Sequence, residues 1–129
     1  MGITVNRYDK SGYKPLVDYG AWRVAILNHE GRKRTGYIER HLETDEVFVL
    51  LTGQATLFDG GTAAAPNRSL RAIAMKKGSV YNVKKASWHY SKLSASTKIL
   101  IVENRNTTGK NSEKADLTDK QKKEILRLS

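Results

Sequence analysis

Two carboxylates and a histidine precede one of the most apolar segments of the chain. Glu39, His41 and Glu46 lie close together, and the run Val47-Phe-Val-Leu-Leu51 follows directly. A charged side chain is costly to bury unless it is paired, neutralised by a proton or bound to a metal ion. These side chains therefore either face water or line a pocket that uses them. In a strand, Glu39 and His41 would share a face, because residues two apart point the same way.

The composition predicts one domain without thiol chemistry. The chain has 129 residues, of which 39% are hydrophobic, and no cysteine, so disulfides and thiolate zinc sites are excluded. No apolar run approaches the roughly 20 residues of a membrane-spanning helix. The first residues do not have the pattern of a signal peptide. We therefore expect a cytoplasmic protein with no membrane partner.

A net charge of +10 raises the question of a nucleic-acid partner. The basic residues occur in short clusters that we expect in loops or on solvent-facing surfaces, and aromatic residues are not interleaved with them as base stacking would need. We interpret them as solvated, so nucleic acid is not the expected partner; affinity that falls steeply with salt would contradict this. The clusters are Arg32–Arg34, Lys76–Lys77, Lys84–Lys85 and Lys120 with Lys122–Lys123.

Short strand-forming segments separated by glycine-marked turns dominate the chain, which predicts an all-β barrel or sandwich. The segments are residues 21–28, 47–51, 55–58, 70–75, 80–83 and 96–103. The turn at Thr52-Gly53-Gln54 predicts a hairpin between the second and third of these segments.

The C-terminal residues predict a linker and a short helix. Residues 104–116 are polar, and Thr118 and Gln121 have the spacing of a capping box. Leu117, Gln121, Ile125 and Leu128 would share the side of the helix that packs on the barrel or on a second subunit. We therefore expect residues 1–104 to form the barrel, and residues 105–129 to add a linker and a helix within the same domain.

Two motifs in this chain resemble those of the cupin superfamily. The first has His41, Glu46 and Gly53 at the spacing that follows the motif His-x-His, and the second runs from Gly78 to His89. The resemblance covers about residues 20–104. It implies a double-stranded β-helix, the jelly-roll barrel of cupins, here with a C-terminal helix. Because cupins commonly pair, it also implies a homodimer.

The chain departs from the motifs at four residues, and Gly36 does not lie at the spacing of the leading glycine of the first motif. Glu39 stands where the first histidine of His-x-His is usual, Lys84 and Ala86 replace a proline and a glycine, and Leu93 replaces an asparagine. These departures bear on metal binding more than on the fold.

The resemblance implies that Glu39, His41, Glu46 and His89 meet inside the barrel mouth. Two imidazoles with one or two carboxylates suit Fe, Mn, Ni or Zn as a divalent ion. Glu39 would be the fourth ligand or a catalytic general base. The protein would then bind a small polar molecule, such as a carboxylate or a sugar, and could be a metal-dependent enzyme. The alternative is a metal-free cupin, a sensor or structural protein, that binds its ligand by hydrogen bonds without catalysis.

Overall fold

The computed structural model describes residues 2–31 and 36–128, and strands are its main regular structure. The strands are β1 Gly12–Tyr19, β2 Trp22–Asn28, β3 Tyr37–His41, β4 Glu46–Thr52, β5 Ala55–Asp59, β6 Arg71–Ala74, β7 Val80–Val83, β8 His89–Leu93, β9 Lys98–Asn104 and β10 Ser112–Asp116, and the helix α1 is Asp119–Arg127. The predicted all-β architecture with a C-terminal helix is confirmed. The basic cluster Arg32–Arg34 lies outside the described residues.

Two antiparallel sheets of five strands form the barrel. The first has the order β1-β2-β9-β4-β7, and the second has the order β10-β3-β8-β5-β6. In β4, Phe48 and Leu50 alternate with more exposed residues, and Ile99 and Ile101 do the same in β9. These side chains form one core with Leu57 of the second sheet. Burying a large aliphatic or aromatic side chain contributes about 1.5–3 kcal/mol, so this core holds the sheets face to face.

The predicted hairpin between β4 and β5 is wrong. The two strands follow each other in the chain but lie in different sheets, so the turn at Gly53 carries the chain across the barrel. Gly53 has a φ of +78°, and a Cβ on this residue would lie 2.6 Å from the Cα of Thr97. A local turn signal predicts a reversal of the chain but not whether the flanking strands pair.

Strand β10 lies within the predicted linker, so the linker assignment is wrong there. It pairs with β3 along its full length, from Ser112 opposite His41 to Asp116 opposite Tyr37. Its sequence is mostly polar because it is an edge strand, so its pairing with β3 is not apparent from an apolar pattern. Strand β1, the edge strand of the first sheet, is largely exposed and is likewise absent from the predicted strands.

The predicted cap and packing face of α1 are largely confirmed. Thr118 Oγ1 accepts a hydrogen bond from the Gln121 backbone at 3.1 Å, and Gln121 Oε1 accepts one from the Thr118 backbone at 2.9 Å. Leu117, Gln121 and Ile125 are buried, but Leu128 is 42% exposed. The prediction for Leu128 is wrong because the helix ends at Arg127. Among the described residues, no helix is long and apolar enough to cross a membrane.

Candidate functional site

Strands from both sheets bring the predicted site residues together. Glu39 and His41 lie two apart on β3, so both side chains project to the same face. Glu39 is paired directly with His89, the first residue of β8. Glu46 begins β4 in the facing sheet. All four side chains line one cavity, which we call the Glu46 cavity.

The carboxylate of Glu46 lies between two imidazole rings. Its Oε1 is 3.3 Å from His41 Nε2 and 3.1 Å from His89 Nε2, and the ring centroids are 5.3 Å apart. Ligand atoms of Glu39, His41 and His89 also lie within 4.8 Å of one another. The convergence predicted from the sequence is therefore present, and the metal-binding role of these residues stays a prediction.

Anchoring contacts determine which nitrogen of each ring faces the cavity. Ser112 Oγ is 2.7 Å from His41 Nδ1 and donates its proton to the Thr108 carbonyl at 2.8 Å. Because a hydroxyl has one proton, Ser112 must accept from His41 Nδ1–H. His89 Nδ1 is 3.0 Å from the carbonyl oxygen of Ser87, which also only accepts. In the neutral form, each ring therefore directs the lone pair of Nε2 into the cavity.

These close approaches shift three pKa values. Burial would raise the pKa of Glu46, but the two imidazoles outweigh burial and lower it. Burial would lower the pKa values of His41 and His89, but the carboxylate of Glu46 outweighs burial and raises both. The site therefore favours an ionised Glu46 beside positive charge, which protons on the rings or a bound cation would supply.

Glu46 Oε1 is buried, and no group among the described residues makes an aligned hydrogen bond to it. Its approaches of 3.1 and 3.3 Å to the imidazoles are therefore electrostatic contacts. A carboxylate oxygen that faces the lone pairs of two imidazole nitrogens offers donors of the kind that a transition-metal ion takes. Two ligands about 2.1 Å from an ion and at right angles lie about 3 Å apart, which is close to these separations. The donor set thus fits a divalent transition metal.

The carboxylate of Glu103 on β9 also reaches this cavity, close to Glu46, and Glu103 is not among the predicted site residues. Ligand atoms of Glu103, His41 and Glu46 lie within 4.8 Å of one another. Glu103 Oε2 accepts from Arg23 Nε at 3.0 Å, from Arg23 Nη2 at 2.7 Å and from the Tyr13 hydroxyl. Burial and then the charge of Glu46 raise the pKa of Glu103, against the opposing effects of Tyr13 and Arg23.

The sequence contains one signal for Glu103. The apolar run from Ile99 to Val102 ends in this carboxylate, and a charge beside a buried strand needs a partner. The partner, Arg23, lies directly opposite Glu103 on β2. Nothing in the sequence shows that pairing, because the two residues belong to strands that are far apart along the chain.

A hydrogen bond from the turn after β7 supports the backbone of His41. Ala86 N–H donates to the carbonyl of His41 at 2.7 Å. Ala86 has a φ of +65°, a conformation that glycine adopts more readily than alanine does. It occupies the position where the second cupin motif has glycine, the residue that adopts this conformation most readily.

The Glu46 cavity has a volume of about 290 Å³, near the lower end of the range for small-molecule sites. Tyr37, Thr108 and Lys114 also line it. Lys114 Nζ lies 4.6 Å from the centre of the Tyr37 ring. The cavity thus combines carboxylates, imidazoles, hydroxyls and a cation in a space that suits a small polar molecule.

Comparison with known proteins supports the fold through structure rather than through sequence. No protein-family model matches the chain, and no curated protein is significantly similar to it in sequence. A variant of Streptomyces PAC13 with uridine aligns at a TM-score of 0.62 and 9% identity, over 93% of this chain and 96% of that chain. PAC13 is described as a nucleoside dehydratase.

Two further solved structures have the same architecture. A cupin-2 domain protein from Shewanella frigidimarina aligns at a TM-score of 0.54 and 19% identity, over 76% of this chain and 85% of that chain. The QdtA 3,4-ketoisomerase from Thermoanaerobacterium thermosaccharolyticum, in complex with TDP, aligns at 0.56 and 15% identity, over 70% of this chain and 64% of that chain. The chain therefore has the cupin fold.

Proposed function

We propose that the protein binds a divalent transition metal ion in the Glu46 cavity and uses this centre to bind or convert a small polar molecule. His41, His89 and Glu46 would hold the ion, with Glu39 as a fourth ligand or a general base. The observation that carries the proposal is Glu46 Oε1, buried without a hydrogen bond and facing two imidazole nitrogens. Fe, Mn, Ni and Zn suit this donor set.

The residues around the proposed metal ion would have different roles. A bound ion would supply Lewis-acid or redox chemistry. Glu39 is half-buried and accessible from the cavity, as a group that takes a proton from a ligand must be. Arg23 and Tyr13 hold Glu103 by its Oε2, and the charge of Arg23 offsets that of this carboxylate.

A sugar-containing or carboxylate ligand suits the lining of the cavity. Hydroxyls from Tyr37 and Thr108 and the amine of Lys114 lie beside the acidic groups, and such groups orient polar ligands. Proteins of similar structure have been solved with uridine and with TDP, which supports a ligand of this size and polarity.

Metal content tests the proposal. The protein purified without chelators should contain about one metal ion per chain by elemental analysis, and His41→Ala and His89→Ala should lose it. His29→Ala is the matched control, because His29 lies outside the Glu46 cavity. Lack of metal uptake by the native protein, or uptake unchanged in both site variants, would refute the metal site.

A metal-free binding protein is the second candidate. The observation that favours it is the raised pKa of both imidazoles beside an ionised Glu46, because two imidazolium rings would balance the carboxylates without a metal ion. This candidate predicts that an anionic or sugar ligand raises the melting temperature of protein stripped of metal. It is excluded if every stabilising ligand requires added metal.

We also propose that the protein is a homodimer formed through the edge of the first sheet. Ile3 and Val5 are 89% and 79% exposed, and Val17 and Tyr19 of the edge strand β1 are exposed as well. A second copy would bury these apolar side chains. Light scattering should give twice the monomer mass for the full chain, and a lower mass when residues 2–7 are deleted. The cytoplasmic location stays a prediction.

A further inference from the structure

A second cavity lies between β6 and β7, on the other side of the barrel from the Glu46 cavity. Its volume is about 380 Å³. Strands β6 and β7 are edge strands of the two sheets, so the cavity lies where the sheets part. His89 lines both cavities and is the wall between them. We call the second space the β6–β7 cavity.

A row of cross-strand neighbours on the second sheet connects the two cavities. Lys114 pairs with Glu39, and Glu39 pairs with His89. His89 also pairs with Asp59, and Asp59 pairs with Arg71. Directly paired residues project to the same face of a sheet. The imidazole of His89 therefore has a carboxylate as its neighbour on each side, and a cation lies beyond each carboxylate. The row gives the β6–β7 cavity a polar wall.

The remaining wall of the β6–β7 cavity is largely apolar. Ile73 of β6 pairs with the buried Leu57, and Tyr81 and Val83 of β7 line the same space. Ile73, Tyr81 and Val83 pack against the core between the sheets. Val80, which also lines the cavity, is 68% exposed. Apolar walls with a few polar groups at one end are typical of small-molecule sites.

The charged groups that line this cavity have a positive balance. Arg71 Nη2 is 3.2 Å from Asp59 Oδ2, and Asp59 Oδ1 accepts from the backbone of Gly61 at 2.9 Å. This carboxylate is therefore held in place, and Arg71 offsets its charge. Lys84 adds a second cation. An anionic group beside Arg71 and Lys84 would gain charge-assisted hydrogen bonds.

We propose that the β6–β7 cavity is a second ligand site, which binds an amphipathic small molecule with one anionic group. The apolar part of the ligand packs against Ile73 and Val83, and the anion lies beside Lys84 and Arg71. The inner end of the cavity reaches His89. This site needs no metal, so the inference stands independently of the proposed metal centre.

Two fluorescent probes test the site on metal-free protein. Anilinonaphthalene sulfonate is an amphipathic anion, and phenylnaphthylamine has the same rings without the sulfonate. The double variant Arg71→Gln/Lys84→Gln should weaken binding of the anionic probe about tenfold or more, because it removes both cations from beside the sulfonate, and should leave binding of the neutral probe unchanged. Lys77→Gln, in the exposed turn between the strands, is the matched control and should affect neither probe.

A variant that fills the β6–β7 cavity and the NMR signals of the His89 ring locate the bound probes. Ile73→Trp should exclude both probes, while near-ultraviolet circular dichroism confirms that the variant is folded. Binding of the anionic probe to the native protein should shift the ring resonances of His89 more than those of His41, because His41 lines only the Glu46 cavity. If Ile73→Trp does not fold, the His89 signal decides the location alone.

The proposal is overturned if the double variant binds the anionic probe as native protein does, if both probes weaken together, or if the His89 resonances do not move more than those of His41. Metal content of Arg71→Gln/Lys84→Gln, measured in parallel, keeps the two proposals apart. A native protein without metal would refute the proposed function and leave the β6–β7 cavity untouched. A native protein that contains metal but binds neither probe would do the reverse.

Discussion

One hydroxyl controls how His41 faces the Glu46 cavity. Ser112 accepts from His41 Nδ1 and is itself fixed by its bond to the Thr108 carbonyl. Without this acceptor, the ring is free to rotate or to carry its proton on Nε2, where it could not bind a metal ion. Groups that orient metal-binding histidines typically contribute about 10- to 100-fold to metal affinity.

We therefore expect Ser112→Ala to weaken metal binding by about 10- to 100-fold, measured by competition with a chelator of known affinity. Ser112→Thr keeps the hydroxyl and should restore most of the affinity. Affinity unchanged in Ser112→Ala would mean that this hydrogen bond does not orient the ring for metal binding.

Backbone conformation at two positions predicts opposite effects on stability. Gly53→Ala should lower the free energy of unfolding by roughly 2–5 kcal/mol, because a left-handed φ costs about 1–2 kcal/mol and crowding against Thr97 adds about 1–3 kcal/mol.

Ala86→Gly should raise the free energy of unfolding by about 0.5–1 kcal/mol. The substitution removes the strain of a φ of +65°. The greater conformational entropy of glycine in the unfolded chain cancels only part of that gain.

Urea denaturation measures both changes. Gly20→Ala is the control for Gly53→Ala, because Gly20 has a φ of +59° but open space around its Cβ position. It should therefore show the conformational cost alone. A loss at Gly53 no larger than at Gly20 would contradict the crowding argument, and a loss of stability in Ala86→Gly would contradict the strain argument.

The sequence predicts a site residue when its neighbours along the chain supply the reason. Strand alternation places Glu39 and His41 together, and motif spacing adds Glu46 and His89. Glu103 is different, because its position in the cavity depends on pairing between β9 and β2, and no local pattern records that pairing. The same holds for Ser112, whose strand was predicted as a linker.

At the scale of elements, α1 is held by polar contacts to the loop between β5 and β6 as well as by its apolar face. Glu124 Oε1 accepts from the backbone of Leu70 at 3.2 Å, and its Oε2 is 3.3 Å from Lys120 Nζ. Gln121 Nε2 donates to the carbonyl of Asn67 at 2.7 Å. Burial would raise the pKa of Glu124, but the Leu70 amide and Lys120 outweigh burial and lower it.

This lowered pKa predicts how the stability of the α1 contact depends on pH. A carboxylate with a lower pKa in the folded state stabilises the fold above its unfolded pKa of about 4.5 and loses that effect as pH falls through the folded value. Glu124→Gln should therefore be less stable than the native protein at pH 7, and the difference should shrink as pH falls below about 4.5.

Unfolding in urea at several pH values from 7 downward measures the difference between Glu124→Gln and native protein. Asp116→Asn, an exposed acidic residue on β10, controls for the general effect of removing a negative charge from the surface. A difference that stays constant with pH would show that the carboxylate contributes no charge-dependent stability to the helix contact.

Elements were predictable where their own side chains make the core. Strands β4 and β9 alternate between buried and more exposed residues, and the sequence shows this pattern. Strands β1 and β10 lie at sheet edges and are largely exposed, so backbone pairing defines them and composition does not. The crossing from β4 to β5 between sheets is a property of topology, which a turn signal does not contain.

At the scale of the whole molecule, the Glu46 cavity connects the two sheets. Glu46 belongs to the first sheet, whereas His41 and His89 belong to the second. Four glutamates and two cations, Arg23 and Lys114, line this cavity in a chain whose net charge is +10, so the site is locally acidic on a basic protein. A cation bound at this point would relieve repulsion between the carboxylates and link the sheets.

Metal binding should therefore stabilise the whole fold. An ion that binds only the folded chain, at about 100 times its dissociation constant, adds about 2.7 kcal/mol to the free energy of unfolding. Thermal melts of metal-stripped protein with and without added ion measure this increment. His29→Ala should retain it, and Glu46→Gln should lose most of it, because the amide replaces the charged link between the sheets. The comparison uses the change in melting temperature on adding metal, so any effect of the substitution on the metal-free protein cancels. An equal increment in Glu46→Gln would therefore mean that the ion binds elsewhere.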